Sequence, residues 1–283
     1  IYEGEVHALL GENGAGKTTL MNILYGLFPP DEGEIIIRGM PTKISSPREA
    51  INLGIGMVHQ HFKLISTHTV SENIILGLAS TPFFFPAEKA ESEIRFLSER
   101  YGLKIDPRAR IWQLSAGEKQ KVEILKALYR RAEILVLDEP TSVLTPQEAE
   151  ELFATLRLMK EEGKTCIFIT HKLNEVKEIA DAVTVMRRGK VISTILPSSV
   201  SLEELARMTV GKEVISVVPR KTVSGKIILQ LQKVSAMGDR EIPALSKLSL
   251  TVREGEIVGV AGVAGNGQKE LAEVIVGLRQ ATE

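Results

Sequence analysis

Gly11-Glu12-Asn13-Gly14-Ala15-Gly16-Lys17-Thr18 is the most informative segment of this chain. It matches the pattern G-x-x-x-x-G-K-[ST], in which backbone N–H groups surround phosphate oxygens, a lysine reaches the terminal phosphates and a hydroxyl binds Mg²⁺. An apolar run, Val6–Leu10, precedes it and predicts a short buried strand. Residues 17–27 predict a helix whose positive end faces the phosphates. The residues expected to bind a nucleotide are Gly11, Asn13, Gly14, Ala15, Gly16, Lys17, Thr18 and Thr19.

The segment recurs in altered form 251 residues later, as Gly262-Val263-Ala264-Gly265-Asn266-Gly267-Gln268-Lys269. Flanking glycines and leucines repeat at the same displacement, and a period this long indicates duplicated domains rather than a solenoid. In the second copy Gln268 replaces Lys17 and Lys269 replaces Thr18. The backbone could still surround a phosphate there, but the ammonium group has moved and the Mg²⁺ hydroxyl is gone.

The composition is that of an ordinary globular protein. With 283 residues, 43% of them hydrophobic, the chain is long enough for one large or two modest domains. A net charge of −1 gives no electrostatic reason to expect nucleic acid as a partner. The single cysteine, Cys166, lies in an apolar stretch, which predicts a buried strand residue in a reducing compartment.

The spacing of the elements predicts a chain with one nearly complete domain. The β-rich stretch 226–252 precedes the second loop, whereas only ten residues precede the first loop. We therefore expect a fragment: residues 1–192 as a first domain without its opening strands, 193–225 as a connector and 226–283 as the start of a second, degenerate domain.

Within the first domain, strand-like runs alternate with helical patterns, which predicts parallel βαβ units. The expected strands are 35–37, 55–58, 134–137, 166–169 and 183–186. Strands disappear between about 61 and 114, where a helical insertion is expected. Thr145 and Glu148 predict a capping box that opens a helix reaching about residue 162.

An acidic pair, Asp138-Glu139, follows the apolar run 134–137. Such a run predicts a buried parallel strand whose C-terminal end is where ligands collect in open α/β sheets. Asp138 is expected to hold Mg²⁺ together with Thr18, and Glu139 to polarise the attacking water. Alone, the pair is equally typical of a solvated turn or a helix cap; the phosphate loop upstream favours the catalytic interpretation.

The segment Leu114-Ser115-Ala116-Gly117-Glu118-Lys119-Gln120 precedes a helical pattern, and Ser115 with Glu118 forms a capping box that any well-capped helix could show. The segment also resembles the LSGGQ signature of ABC ATPases. In that family the serine hydroxyl, the glycine backbone and the helix N-terminus bind the γ-phosphate of ATP held on the opposite domain. This chain departs at Ala116 and Glu118 and keeps Ser115 and Gly117.

Further landmarks follow in the family's order. Gln60 resembles the Q-loop glutamine, which implies a role in catalysis and in Mg²⁺ binding with Thr18 and Asp138. His171, at the end of an apolar run, resembles the switch histidine that contacts the γ-phosphate. At the D-loop position, Thr145 stands where the family commonly has Asp.

The resemblance covers the whole chain and implies an α/β P-loop NTPase fold of the ABC ATPase type, with a RecA-like core, a parallel sheet, a helical insertion and antiparallel β elements. It implies an ATPase with ATP and Mg²⁺ as cofactors. The two tandem phosphate loops are most similar to those of double-domain ATPases from bacterial simple-sugar and nucleoside importers. The sequence of residues 57–62 is more similar to the nucleoside branch of that group. Such a subunit lies peripherally on the cytoplasmic face of the inner membrane, with integral membrane permease subunits and a substrate-binding protein as partners.

Each nucleotide in that family lies between the phosphate loop of one domain and the signature of another. The second ABC domain would be in cis, incomplete here, or a second copy in trans. We therefore expect Mg-ATP binding at the first loop and slow hydrolysis by the chain alone. Phe83-Phe84-Phe85 is a candidate contact with the permease, although the pattern slightly favours the alternative that these rings fill the core of the insertion itself.

Two other classes share the superfamily. A soluble tandem ATPase acting on ribosomes typically has a long charged linker and intact loops in both copies, and this chain has neither. A DNA-repair or chromosome ATPase is disfavoured by the lack of zinc-type cysteine spacing, coiled-coil heptads and surplus basic charge.

Overall fold

The computed structural model describes residues 1–78, 87–211, 225–238, 242–262 and 265–282. The chain divides into two compact units, Ile1–Val214 and Ile215–Glu283. The candidate permease contact, Phe83-Phe84-Phe85, lies outside the described residues.

The first unit alternates strands and helices. Its strands are β1 (Val6–Leu10), β2 (Ile35–Ile37), β3 (Met40–Thr42), β4 (Ile55–Val58), β5 (Ile134–Asp138), β6 (Thr165–Thr170), β7 (Ala182–Arg187) and β8 (Lys190–Ile195). Its helices are α1 (Lys17–Leu24), α2 (Pro47–Asn52), α3 (Val70–Ile75), α4 (Ala87–Arg100), α5 (Ala116–Tyr129), α6 (Pro146–Glu161), α7 (Leu173–Ile179) and α8 (Leu202–Val210).

A six-stranded sheet with the order β4-β5-β6-β1-β7-β8 forms the centre of this unit. The five strands from β4 to β7 run parallel, and β8 returns antiparallel to β7. The predicted parallel βαβ arrangement is therefore confirmed. Because β1, β5 and β6 are neighbours and run the same way, the loops that follow them meet at one edge of the sheet.

One predicted strand lies elsewhere. Strand β2 pairs antiparallel with β3 in a separate two-stranded sheet and does not join the parallel sheet. The reason is local: Arg38 and Gly39 both have positive φ, 52° and 77°, which gives the two-residue turn that reverses a chain into a hairpin.

Apolar side chains cover both faces of the central sheet. All five residues of β1 are buried, and Ala8 and Leu10 pack with Val183 and Val185 of β7. Helix α8 closes this side through Leu205, which is fully buried in the same cluster. Strand β8 and helix α8 thus belong to the first compact unit, although half of β8 and all of α8 fall within the stretch expected as a connector.

The stretch between Gln60 and Leu114 is helical where the structure describes it. Helices α3 and α4 and a short 3-10 helix, Ile111–Gln113, lie there, and no strand is assigned in the described parts, 61–78 and 87–114. Ile74 and Ile94 are fully buried and join the core cluster that contains α5. The predicted helical insertion therefore packs against the helix that follows the signature-like segment.

The second unit contains a β-hairpin and one helix among its described residues. Strands β9 (Ile227–Met237) and β10 (Pro243–Arg253) pair antiparallel, and helix α9 spans Gln268–Ile275. Ala236, Leu245 and Leu271 form its small core. Across the described parts of both units, no helix combines the length and the apolar character that crossing a bilayer requires.

Candidate nucleotide site

The glycine-rich loop joins β1 to α1. Gly14 and Gly16 have φ values of 81° and 97°, which side chains with a Cβ rarely adopt, and α1 begins at the next residue, Lys17. The backbone therefore turns sharply and presents the N-terminal N–H groups of a helix, an arrangement that binds phosphate. Gly11 is required for a different reason: a Cβ there would lie 2.5 Å from the carbonyl oxygen of Met186.

The side chain of Lys17 folds back over this loop. Its Nζ donates hydrogen bonds to the carbonyl oxygens of Gly11, at 2.7 Å, and Glu12, at 3.1 Å. Burial lowers the pKa of Lys17, while the carboxylates of Glu139 and Asp138 act in the opposite direction. The ammonium group is thus held at the glycine-rich loop by two backbone carbonyl oxygens.

Thr18 and Asp138 bring two oxygen atoms together at the end of β5. The hydroxyl of Thr18 donates to Oδ2 of Asp138 at 3.1 Å. Asp138 is only 3% exposed, and burial raises the pKa of its carboxyl group, with the Thr18 hydrogen bond opposing that shift. A hydroxyl beside a carboxylate matches the oxygen ligands that Mg²⁺ prefers, so these residues fit that ion.

The carboxylate of Glu139 contacts two other candidate residues. The Nε2 atom of Gln60 donates to its Oε2 at 3.3 Å, and Nδ1 of His171 lies 3.0 Å from its Oε1. The backbone of Glu139 has a φ of 47°, and its N–H donates to the carbonyl oxygen of Ile169 at 3.0 Å. The structure therefore gathers the three residues named as catalytic, although they come from three separate loops.

The signature-like segment forms the start of α5. Ser115 caps this helix by accepting from the N–H of Glu118, whose side chain accepts from the N–H of Ser115 in return, so the predicted capping box is confirmed. The carboxylate of Glu148 approaches Gly117 so closely that a Cβ at that glycine would collide with it. Glu148 itself belongs to the second confirmed capping box, with Thr145.

Two residues that support the site, Glu175 and Gly189, are absent from the site residues predicted from the sequence. Glu175, in the first turn of α7, is buried beside Thr141 and Thr170. The only sequence signal for it is a carboxylate at an inward-facing position of a helix, which periodicity alone does not mark as functional. Gly189 is another: its N–H donates to the carbonyl oxygen of Ala15 at 3.0 Å, so the turn between β7 and β8 rests on the phosphate loop.

The second loop repeats part of this geometry. Gly265 and Gly267 have φ values of 90° and 87°, close to those of their counterparts in the first loop, and α9 begins at Gln268. The amide of Gln268 lies directly against Gly262, so that a Cβ on that glycine would collide with it. Lys269 pairs with Glu273 at 3.6 Å. Val263 and Ala264 lie outside the described residues.

The glycine-rich phosphate loop lies between a strand and a helix, and an acidic pair lies at the end of a nearby parallel strand. This arrangement places the chain among the P-loop nucleotide-binding proteins. Within that class, residues 1–142 match the family model described as ABC transporter. The chain belongs to this family.

Solved structures of ATP-binding cassettes share the fold. A nucleotide-free ATP-binding cassette from an ABC transporter is 26% identical with a TM-score of 0.64, and the match covers 77% of this chain and 90% of that one. The cbiO1 protein of Clostridium perfringens, part of an ABC transporter complex, is 31% identical with a TM-score of 0.62, and the match covers 75% of this chain and 84% of that one.

Longer relatives match almost the whole chain. The glucose import ATP-binding protein of Haloferax volcanii is 50% identical over 99% of this chain and 56% of its own length. The guanosine import ATP-binding protein of Bacillus subtilis is 50% identical over 99% of this chain and 55% of its own length. The chain therefore spans about half the length of the curated relatives that it matches.

Proposed function

We propose that this chain is the ATP-binding part of an ABC importer subunit that couples ATP hydrolysis to uptake of a simple sugar or a nucleoside. The observation that carries the proposal is the convergence of Lys17, Asp138, Glu139 and His171 at one edge of the parallel sheet. The names of the relatives, which are import ATP-binding proteins, support transport over the alternative of a ribosome-associated ATPase.

The residues of the first site divide the work as follows. Lys17 and the loop N–H groups bind the phosphates of ATP. Thr18, Asp138 and Gln60 would hold Mg²⁺, which would supply charge neutralisation at the phosphates. Glu139 accepts a hydrogen bond from the attacking water and orients it. His171 holds the Glu139 carboxylate on one side and contacts the γ-phosphate on the other. The remaining loop residues, Gly11, Asn13, Gly14, Ala15, Gly16 and Thr19, complete the binding surface.

A full site needs a second signature-bearing surface. Ser115 and Gly117 present the N-terminus of α5, and in our proposal they face the γ-phosphate held by another phosphate loop. That loop belongs either to the second, degenerate domain, whose start we assign to residues 226–283, or to a second copy of this chain. The first domain is assigned to residues 1–192 and the connector to 193–225.

The proposed partners are integral membrane permease subunits and a substrate-binding protein, with the ATPase bound peripherally at the cytoplasmic face of the inner membrane. Support comes from the import functions named for the relatives. The helical insertion around α3 and α4 is the surface that we assign to permease contact.

Nucleotide binding and turnover test the proposal. We expect the chain to bind Mg-ATP and to hydrolyse it slowly, with a specific activity that rises with protein concentration, because charge stabilisation must come from both sides of the nucleotide. Lys17→Ala removes binding and turnover, whereas Lys89→Ala, an exposed lysine of α4, leaves both unchanged. Strong ATPase activity from a demonstrated monomer would contradict the need for a second signature-bearing surface. A chain that binds no nucleotide would overturn the proposed ATP-binding function.

Co-purification tests the transport role separately. When the tagged chain is expressed in its native organism and affinity-purified, membrane permease subunits should co-purify with it. Recovery of ribosomes without any permease would replace the import proposal with the translation alternative.

A further inference from the structure

The carboxylate of Glu175 is a buried acceptor that connects two loops of the site. It is 9% exposed, and its two oxygens accept hydrogen bonds from the hydroxyl of Thr141 at 2.6 Å and from the hydroxyl of Thr170 at 2.9 Å. The ammonium group of Lys172 lies 3.1 Å from the same carboxylate. Three donors therefore satisfy one buried charge, which explains how it is tolerated there.

The two threonines occupy informative positions. Thr141 lies two residues after Glu139 on the loop that follows β5, and Thr170 immediately precedes His171 at the end of β6. Lys172 adds a second link between the same loops, because its Nζ also donates to the carbonyl oxygen of Thr141 at 3.0 Å. Glu175 thus fastens the loop that bears Glu139 to the loop that bears His171.

The pair formed by Glu139 and His171 has little other support on the histidine side. The side chain of His171 is 48% exposed, so packing does not fix its orientation. Glu139 adopts a φ of 47°, a conformation that persists in a residue with a Cβ only where its surroundings impose it. A tie between the two loops is the kind of restraint that both observations require.

We propose that Glu175 is a positioning residue for hydrolysis: through Thr141 and Thr170 it holds Glu139 and His171 at contact distance. The inference rests on the proposed function, since it concerns the turnover step of the same site. Glu175 contacts Thr141, Thr170 and Lys172, which lie at the end of β6 or in the loops after β5 and β6 and not on the glycine-rich loop, so we expect nucleotide binding to be retained when Glu175 is changed. A displacement of about 1 Å in a catalytic pair is enough to slow a reaction about 100-fold.

Substitution separates positioning from general stability. In Glu175→Ala we expect kcat for ATP hydrolysis to fall at least about tenfold while the KM for ATP stays within about threefold. Glu175→Gln should restore most of kcat, because its amide can accept from one threonine hydroxyl and donate to the other. If Glu175→Ala does not fold, Thr141→Val removes one of the two ties with less disturbance, and the same loss in kcat, reduced in size, is expected.

Thr155→Val is the matched control. Thr155 is another buried threonine, whose hydroxyl donates to the carbonyl oxygen of Tyr101 at 3.1 Å, away from both loops. This change should lower thermal stability and leave kcat unchanged. Equal losses of kcat in Thr155→Val and Thr141→Val, or a Glu175→Ala protein with the kcat of the wild type, would overturn the proposal.

Amide hydrogen exchange provides a readout that does not depend on hydrolysis. Residues 139–145 and 170–173 should exchange faster together in Glu175→Ala and should be unaffected in Thr155→Val. If the wild type hydrolyses no ATP at any concentration, the proposed function fails, and the exchange result alone decides whether Glu175 ties the loops. Unchanged exchange in both segments would refute the tie even in an active enzyme.

Discussion

The Nδ1 atom of His171 lies 3.0 Å from Oε1 of Glu139, although the two residues are 32 positions apart in the chain. The contact follows from the sheet, because β5 and β6 are adjacent and parallel, with Asp138 opposite Ile169 in their register. Residues just beyond two such strands emerge side by side. A pair of loops that share no sequence motif thus forms one chemical unit.

Glu139→Gln should separate binding from turnover. The amide keeps the shape of the side chain but cannot act as a base, so we expect hydrolysis to fall by about 10²–10⁴-fold while ATP affinity is retained. Phosphate release and equilibrium nucleotide binding are the two measurements. Glu161→Gln, at an exposed position near the end of α6, should change neither. A parallel loss of affinity would show that Glu139 acts mainly in binding.

Gly11→Ala should damage the phosphate loop through the backbone. The new Cβ would lie 2.5 Å from the carbonyl oxygen of Met186, so either the loop or β7 must move, at a cost of about 1–3 kcal/mol. We expect a lower melting temperature and weaker ATP binding. Gly259→Ala, where no atom lies within 4 Å of the added Cβ, is the control and should have no effect on either. Unaltered ATP affinity in Gly11→Ala would mean that the loop tolerates the shift.

Cys166 should be chemically silent in the folded protein. It is fully buried in β6, and burial raises the pKa of its thiol to about 12, so almost no thiolate is present at pH 8. Iodoacetamide should therefore fail to label the native chain at pH 8 and should label it rapidly in urea, as followed by mass spectrometry. Fast labelling without denaturant would indicate that the strand opens locally.

His7 should make the fold sensitive to mild acid. Burial lowers the pKa of His7 below the ordinary value of a histidine side chain, about 6.5, and the neighbouring carboxylate of Glu5 only partly opposes this shift. The unfolded chain therefore binds a proton at His7 more readily than the folded chain does. The contribution of His7 to the free energy of unfolding is thus fully present above pH about 6.5 and decreases as the pH falls below that value. Melting temperatures measured from pH 7.5 to 5.5 should fall, and His7→Gln should reduce the slope. Identical slopes would exclude His7 as the cause.

Much of the site could be predicted because its elements are local. The glycine-rich loop carries its own spacing, and an apolar strand followed by Asp138 and Glu139 predicts where two carboxylates will emerge. The family resemblance pointed to Gln60 and His171 as residues of the same site. Their contacts with Glu139 follow from the strand order of the sheet, which the sequence analysis did not predict.

Other features depend on tertiary contacts that no local pattern encodes. The reach of Glu175 to two threonines 34 and 5 residues away is set by how α7 packs against the strand ends. The apolar pattern of β2 predicts one more strand of the parallel sheet. The turn at Arg38 and Gly39 instead reverses the chain, so that β2 pairs with β3 in a separate hairpin. The hydrogen bonds of Lys17 to the carbonyl oxygens of its own loop are likewise not specified by the sequence motif.

The hydrogen bond from Gly189 to Ala15 places a support behind the phosphate loop. This hydrogen bond helps to order the phosphate loop during folding. Less conformational entropy of the loop is then lost when ATP binds, and the affinity is correspondingly higher. The hairpin turn between β7 and β8 should therefore influence affinity through the loop that it contacts: loosening the turn should weaken ATP binding through a faster dissociation rate.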